Sequence, residues 1–338
     1  MADIKNLGIF DLIHASYAAQ ATHALIHHDV PDLLLQKSAP LDSLAAQCNI
    51  DPEKLKLLMD LGVSMGFFSC SEGVYFLKKK GIRLTRAIGS WERGYLITWA
   101  QALQPAMAQT NTWLSTDTNA YETAHGMQAW DHYRANRSLG SAYEEFQDRI
   151  SHLAHIPALV AGIVLKPGER FLDVAGGKGA LTLALAASNP DVQGTVLDQS
   201  YLKPAFEQQL AKSPDALVKR ACFMAGDMLQ SIPSGFDTYL IKHALHDWDD
   251  AKAGAIIKNI ATAMQPPARL LIIEAIKRPQ HSHHVLMQTR AYEQSVWSVG
   301  KVRTQEDFVH LLEQAGLVLR SVQDTAIFDL SILECSRP

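Results

Sequence analysis

The stretch FLDVAGGKGALTLALA, Phe171–Ala186, decides how the chain is read. It opens with an apolar run carrying one acid, passes through a glycine-rich turn and ends in a segment rich in the helix formers alanine and leucine. Strand, glycine turn and helix together form the entry to a Rossmann-like sheet, where a nucleotide-like ligand meets the carboxyl ends of the strands. Gly176, Gly177 and Gly179 let the backbone come close to that ligand. A dinucleotide site would favour GxGxxG with a pyrophosphate on the helix N-terminus. Here Asp173 precedes AGGKG and the last glycine arrives early, a spacing that favours S-adenosylmethionine over NAD.

Downstream, strands alternate with helices. GERFLDVAG, GTVLDQS, ACFMAGD, FDTYLIKHAL and ARLLIIEAI read as strands, with helices over Ala180–Ala187, Pro204–Leu210 and Asp250–Met264. This alternation implies a mostly parallel, doubly wound α/β sheet. The late pair GLVLRSVQDT and FDLSILECS suits an antiparallel hairpin at the sheet edge.

Toward the N-terminus the pattern changes to short helices. Phe10–His28 is followed by PLDSLAAQCNI, with Asp42 or Ser43 as cap, and by DPEKLKLLMDLGVSMGFF, with Asp51 as cap and Pro52 at the first helical position. Two β runs around the turn Ser71–Glu72–Gly73 complete a winged-helix pattern. Its second helix offers leucines and methionines to a partner, with only Lys54 and Lys56 basic, so it suits packing or dimerisation better than a DNA groove. From Trp91 to about Ile156 the chain is helical and rich in aromatic residues.

Composition bounds the rest. The 338 residues carry a formal net charge of −4 from interspersed charges, with no basic footprint for nucleic acid. Four widely spaced cysteines without a CxxC argue against a disulfide framework or zinc ribbon and suit a reducing cytosol. No signal peptide or membrane span is read, so the expected location is cytoplasmic. The loop holding His281, His283 and His284 lacks carboxylate or thiolate ligands of fitting spacing and reads as solvated, and no metal site is expected.

Several further residues fit a ligand at the sheet edge. Asp198 ends the second strand, where a carboxylate accepts both ribose hydroxyls. Asp227 and Met228 end the third, placed for the adenine amino group and ring face, and Lys242 ends the fourth. The stretch LIKHALHDWDD, Leu240–Asp250, then poses a question: catalytic base, metal cluster, or the polar rim of a helix start using its aspartates as cap and first-turn acids.

Taken in order, LDVAGGKG, VLDQS, GDML, KHALHDWDD, IIEAI and GKVRT, behind a winged-helix-like segment, resemble the small-molecule O-methyltransferases of the plant caffeate and animal acetylserotonin type, and their bacterial natural-product relatives still more. The resemblance covers essentially the whole chain. It implies a winged-helix-like dimerisation domain over 1–95, a helical linker over 96–156 that contributes to the substrate pocket, a Rossmann-like S-adenosylmethionine domain over 157–338, and a homodimer. It also implies that His246 takes the proton from a substrate hydroxyl and that Glu274 orients it, with the adjacent Asp247 in the catalytic group. His243 does not match that role. The expected cofactor contacts are Asp173, Ala175, Gly176, Gly177, Asp198, Asp227, Met228 and Lys242. Trp130, Tyr133, Phe146, Tyr292 and Trp297 suggest a flat aromatic acceptor, with Glu293 near the same positions.

The chemistry is reasonable for those residue types. A histidine near pKa 6.5 is unprotonated at neutral pH and can take a phenolic proton as oxygen attacks the methyl group. The chain departs from the family at Ala175, where the first loop glycine stands, at Lys178, and at Val302, where a second glutamate supports the base. Alternatives are N-methylation, non-methylating chemistry around the same cofactor, a winged-helix regulator and an NAD-linked oxidoreductase.

Overall fold

A computed structural model describes residues 6–87, 91–278, 285–327 and 330–338, which divide into two units, Met1–Ile150 and Ser151–Pro338. The expected histidine-rich loop, with His281, His283 and His284, lies outside the described residues, as do Phe328 and Asp329 of the expected last strand.

In the first unit, helices Ile9–His27, Val30–Gln36, Leu41–Cys48 and Pro52–Ser64 accompany a small sheet of β1 (Ala39–Pro40), which lies between the second and third helices, β2 (Phe68–Ser71) and β3 (Val74–Leu77), in the order β1-β3-β2. The β2–β3 turn places Glu72 and Gly73 at φ 51° and 76°. Two successive positive φ values match the right-handed twist of a tight hairpin. Leu25, Leu44, Leu55, Met59, Phe68 and Tyr75 form one buried core, so the second helix of the winged-helix pattern spends its inner face on packing while Leu57 stays exposed.

Asp51 caps the helix Pro52–Ser64, accepting from the amides of Glu53 and Lys54 at 2.9 and 3.1 Å. The expected cap at Asp42 or Ser43 is corrected. Helix Leu41–Cys48 starts directly from the strand residue Pro40 with no side-chain cap, which puts Asp42 inside the first turn, where its charge still meets the positive helix end.

The second unit is built on a seven-stranded sheet: β4 (Arg170–Val174), β5 (Gln193–Asp198), β6 (Ala221–Ala225), β7 (Thr238–Lys242), β8 (Arg269–Ala275), β9 (Val318–Asp324) and β10 (Leu330–Ser336). The order is β6-β5-β4-β7-β8-β10-β9. The pairs from β6 to β8 are parallel, while β10 runs antiparallel to both β8 and β9. Strands β4, β7 and β8 are almost wholly buried, as expected for parallel strands covered by helices on both faces.

The chain enters at β4, winds outward through β5 to β6, then returns to place β7 on the other side of β4. Loops leaving β4 and β7 therefore diverge, and the gap between them is where ligands bind in such sheets. Residues Asp173 and Val174 pair with Leu240 and Ile241 at the strand ends beneath this gap, so the glycine loop and the LIKHALHDWDD stretch flank one crevice.

Replacement Asp51→Ala is expected to lower the unfolding free energy of the first unit by about 1 kcal/mol, the usual worth of a helix cap. Denaturant titration followed by circular dichroism checks it, and an unchanged midpoint would count against the cap.

Candidate active site

The glycine loop is shaped by backbone conformation. Ala175, Gly177 and Gly179 all have positive φ, at 57°, 60° and 80°. Ala175 adopts this left-handed region at a cost of roughly 1–2 kcal/mol relative to glycine. At Gly179 a Cβ would come within 2.5 Å of the Phe206 ring, so the loop can turn here only without a side chain.

Carboxylates brace this loop from two sides. Asp173 is buried, accepts a 2.7 Å hydrogen bond from Thr182 Oγ1 and lies directly under Gly176. Burial pushes its carboxyl up to about 6, against the pull of Thr182 and the Lys242 cation. Asp198 accepts from the Gly177 amide at 2.8 Å and from the Gln199 amide at 2.7 Å, which fastens the loop to the end of β5. Each oxygen keeps a further lone pair for a hydroxyl donor.

At the end of β6, Asp227 accepts from the Leu229 amide at 2.9 Å and from Gln230, while Met228 packs on the core and its carbonyl accepts from Asn259. Lys242 ends β7 half-buried. Burial lowers its pKa, and the Asp173 and Glu274 carboxylates oppose that shift.

Beyond Lys242 the chain turns through His243 into a short helical turn, Leu245–Asp247, organised by Glu274 from the end of β8. Glu274 is 1% exposed. One oxygen accepts from the amides of Ala244, Leu245 and His246 at 3.1, 3.0 and 3.4 Å, and the other lies 2.7 Å from His246 Nδ1. His246 Nε2 is 3.3 Å from Asp247 Oδ1, an oxygen with no hydrogen-bond partner among the described residues.

Burial disfavours a charge on His246, but the Glu274 and Asp247 carboxylates overcome it and raise the imidazole to about 9. The two carboxylates thus hold this ring above the 6.5 expected of an isolated histidine. Burial likewise pushes Asp247 up to about 6, although the His246 cation pulls it down.

A family model for the O-methyltransferase domain matches residues 107–318, and one for the O-methyltransferase dimerisation domain matches residues 10–85. The chain belongs to the O-methyltransferase family. It is an S-adenosylmethionine-dependent methyltransferase with an N-terminal dimerisation domain. The mitomycin biosynthesis 6-O-methyltransferase of Streptomyces lavendulae is 25% identical over 313 residues, covering 91% of this chain and 87% of that protein. Among solved structures, the mitomycin 7-O-methyltransferase MmcR has TM-score 0.89 at 24% identity, covering 98% of this chain and 97% of that one. The O-methyltransferase NcsB1 from neocarzinostatin biosynthesis, solved with S-adenosylmethionine and 2-hydroxy-5-methyl naphthoic acid, has TM-score 0.81 at 23% identity, covering 95% and 96%.

The acceptor residues named from sequence fall into two groups. Tyr292, Glu293 and Trp297 of the methyltransferase lie on helix Val285–Trp297 in the second unit, with Trp297 buried and the other two half-buried. Trp130, Tyr133 and Phe146 lie in the first unit and share an aromatic cluster: Tyr143 meets Tyr133 at 4.7 Å, Trp130 at 5.5 Å and Phe146 at 6.4 Å between ring centroids.

Three residues that hold the His246 loop were not singled out from sequence. Gln294 donates to the His246 carbonyl at 3.0 Å. A Cβ at Gly300 would fall 1.8 Å from that same carbonyl, so only glycine permits the approach. Arg303, fully buried, donates to the carbonyls of Leu245 and Trp248 at 2.7 and 2.8 Å and to Asp250 at 3.0 Å. The GKVRT motif was visible, but which loop it grips depends on long-range packing. Asp249 caps helix Asp250–Ala263 through the Lys252 amide at 2.8 Å. Asp250 pairs with Lys301 and Arg303, and among the described residues no group of three or more acids, histidines or cysteines is arranged for a metal.

Two outcomes are expected. In Glu274→Gln the His246 imidazole should titrate well below 9, because its principal carboxylate is removed while burial remains; histidine NMR titration reads this, and an unmoved pKa would contradict the pairing. Arg303→Met should cost about 3 kcal/mol in denaturant unfolding, since it strands the buried Leu245 carbonyl and the half-buried Trp248 carbonyl and breaks the pair with Asp250.

Proposed function

We propose that this methyltransferase moves the methyl group of S-adenosylmethionine onto a hydroxyl of an aromatic natural-product intermediate, with His246 as general base. The observation that carries this reading is the 2.7 Å contact of His246 Nδ1 with buried Glu274, at the mouth of the crevice flanked by the glycine loop. It fixes the tautomer and leaves Nε2 as the nitrogen that meets the acceptor.

The cofactor's sulfonium supplies an electrophilic methyl group. In this reading Asp198 receives the ribose hydroxyls, Asp227 and Met228 the adenine, and the Ala175–Gly177 backbone and Lys242 the methionyl end. Asp173 acts by bracing the loop. His246 accepts the hydroxyl proton as oxygen attacks, and Glu274 stabilises the imidazolium. A base near pKa 9 is well matched to a phenol near 10, because little free energy is lost in the transfer. The positive sulfonium and the oxygen gaining negative charge neutralise each other as the bond forms, a change favoured where water is excluded.

The aromatic acceptor is supported by the mitomycin and naphthoate chemistry of the relatives and by Tyr292 and Trp297 on the helix whose Gln294 holds the His246 carbonyl. The dimerisation-domain match over residues 10–85 supports a homodimer. Ile9, Phe10, Ile13 and Tyr17 leave an apolar surface exposed on the first helix, as a partner copy requires.

In the variant His246→Ala, turnover should fall by about 10²–10⁴ while S-adenosylhomocysteine affinity is kept. An unchanged rate would remove His246 from the mechanism. In the wild type, kcat/KM should rise about tenfold per pH unit from neutrality toward the His246 pKa of about 9, then level off, because protonated His246 is inactive. A profile flat over that range would contradict the assignment.

A further inference from the structure

Two histidines beside the proposed base have no part in the chemistry above. His155 ends the π-helical turn Ser151–His155, and His243 follows β7, both in the second unit. Their rings meet edge to face with centroids 4.9 Å apart, and His243 meets His246 in the same manner at 5.5 Å. The three imidazoles form a file leading away from the base.

Two features of this file are costly to the fold. His155 is 6% exposed, yet its Nδ1 has no hydrogen-bond partner among the described residues. A buried polar atom left unpaired destabilises a protein, and an aliphatic side chain of similar size would avoid that cost. His243 has φ 49°, a left-handed conformation that strains a residue with a Cβ and concentrates at functional sites.

Electrostatics divides the file. Burial, reinforced by the Lys242 cation, drives His155 down to about 3 and His243 well below its ordinary value, with Arg290 adding to both effects. His246, facing two carboxylates, is raised instead. These opposite shifts run against proton transfer from His246 to its neighbours. What remains is a pair of neutral rings, each with one N–H to donate, in the positive field of Lys242 and Arg290. Such a surface suits an electron-rich oxygen.

We propose that His155 and His243 form a recognition wall beside His246 for a carboxylate or carbonyl oxygen carried on the same ring system as the hydroxyl to be methylated. The wall would select acceptors bearing that second oxygen over plain phenols. The proposal rests on His246 marking the acceptor site.

Calorimetric titration of the S-adenosylhomocysteine-loaded protein with 3-hydroxy-2-naphthoate and with 2-naphthol tests it, since the probes differ by the carboxylate alone. The wild type should prefer the naphthoate by about tenfold or more, the worth of a charge-assisted hydrogen bond. In His155→Leu the preference should fall below about threefold, with S-adenosylhomocysteine affinity unchanged and a melting temperature no lower than wild type. His155→Gln, which keeps a donor, should retain a larger preference than His155→Leu. Equal binding of the two probes by the wild type, including no measurable binding of either, would overturn the proposal, as would a full preference in His155→Leu. Failure of the wild type to bind S-adenosylhomocysteine would overturn the methyl-transfer reading beneath it.

Discussion

The carboxylate of Glu274 is the interaction on which the rest of the site depends. A buried carboxylate is costly unless its oxygens are satisfied. Here one oxygen gathers three consecutive amides from Ala244 to His246 and the other engages the His246 ring. Hydrogen bonds to a charged group are worth about 1.5–3 kcal/mol each, so the loop after β7 is fixed to the end of β8 by one side chain. The ring and the backbone that carries it are set together.

The same arrangement governs the charge of the site. Lys242, Asp173, Glu274 and His246 lie near one another at the carboxyl edge of β4, β7 and β8, and each shifts its neighbours. His246 faces carboxylates and holds a proton, whereas His155 and His243, a ring or two away, face burial and cations and do not. Three residues of one type thus reach different states through their surroundings. Arg303, Gly300 and Gln294 hold the loop from its other side, so the base is supported both from the end of β8 and from residues 294–303.

Much of this was legible in the sequence because the signals were local. The glycine loop, the strand ends at Asp198 and Asp227 and the alternation of strands and helices each depend on a few neighbouring residues, and β4 to β10 formed where the patterns lay. Helix Val30–Gln36 is not read from the sequence although Pro31 stands in its first turn, because only two residues, ending in a left-handed Asp29, separate it from helix Ile9–His27. Arg303 gave no local signal, since its partners lie some fifty positions away in the chain. The upward shift of His246 is hidden from the sequence for the same reason: the histidine is visible, but the two carboxylates facing it are a product of folding.

The most direct test of this arrangement is a crystal structure of the protein with bound S-adenosylhomocysteine. The account requires the ribose on Asp198 and the sulfur directed toward His246 Nε2, across a gap that one hydroxyl and one methyl group would fill. A cofactor bound with its sulfur turned away from His246, or bound outside the crevice between β4 and β7, would contradict it.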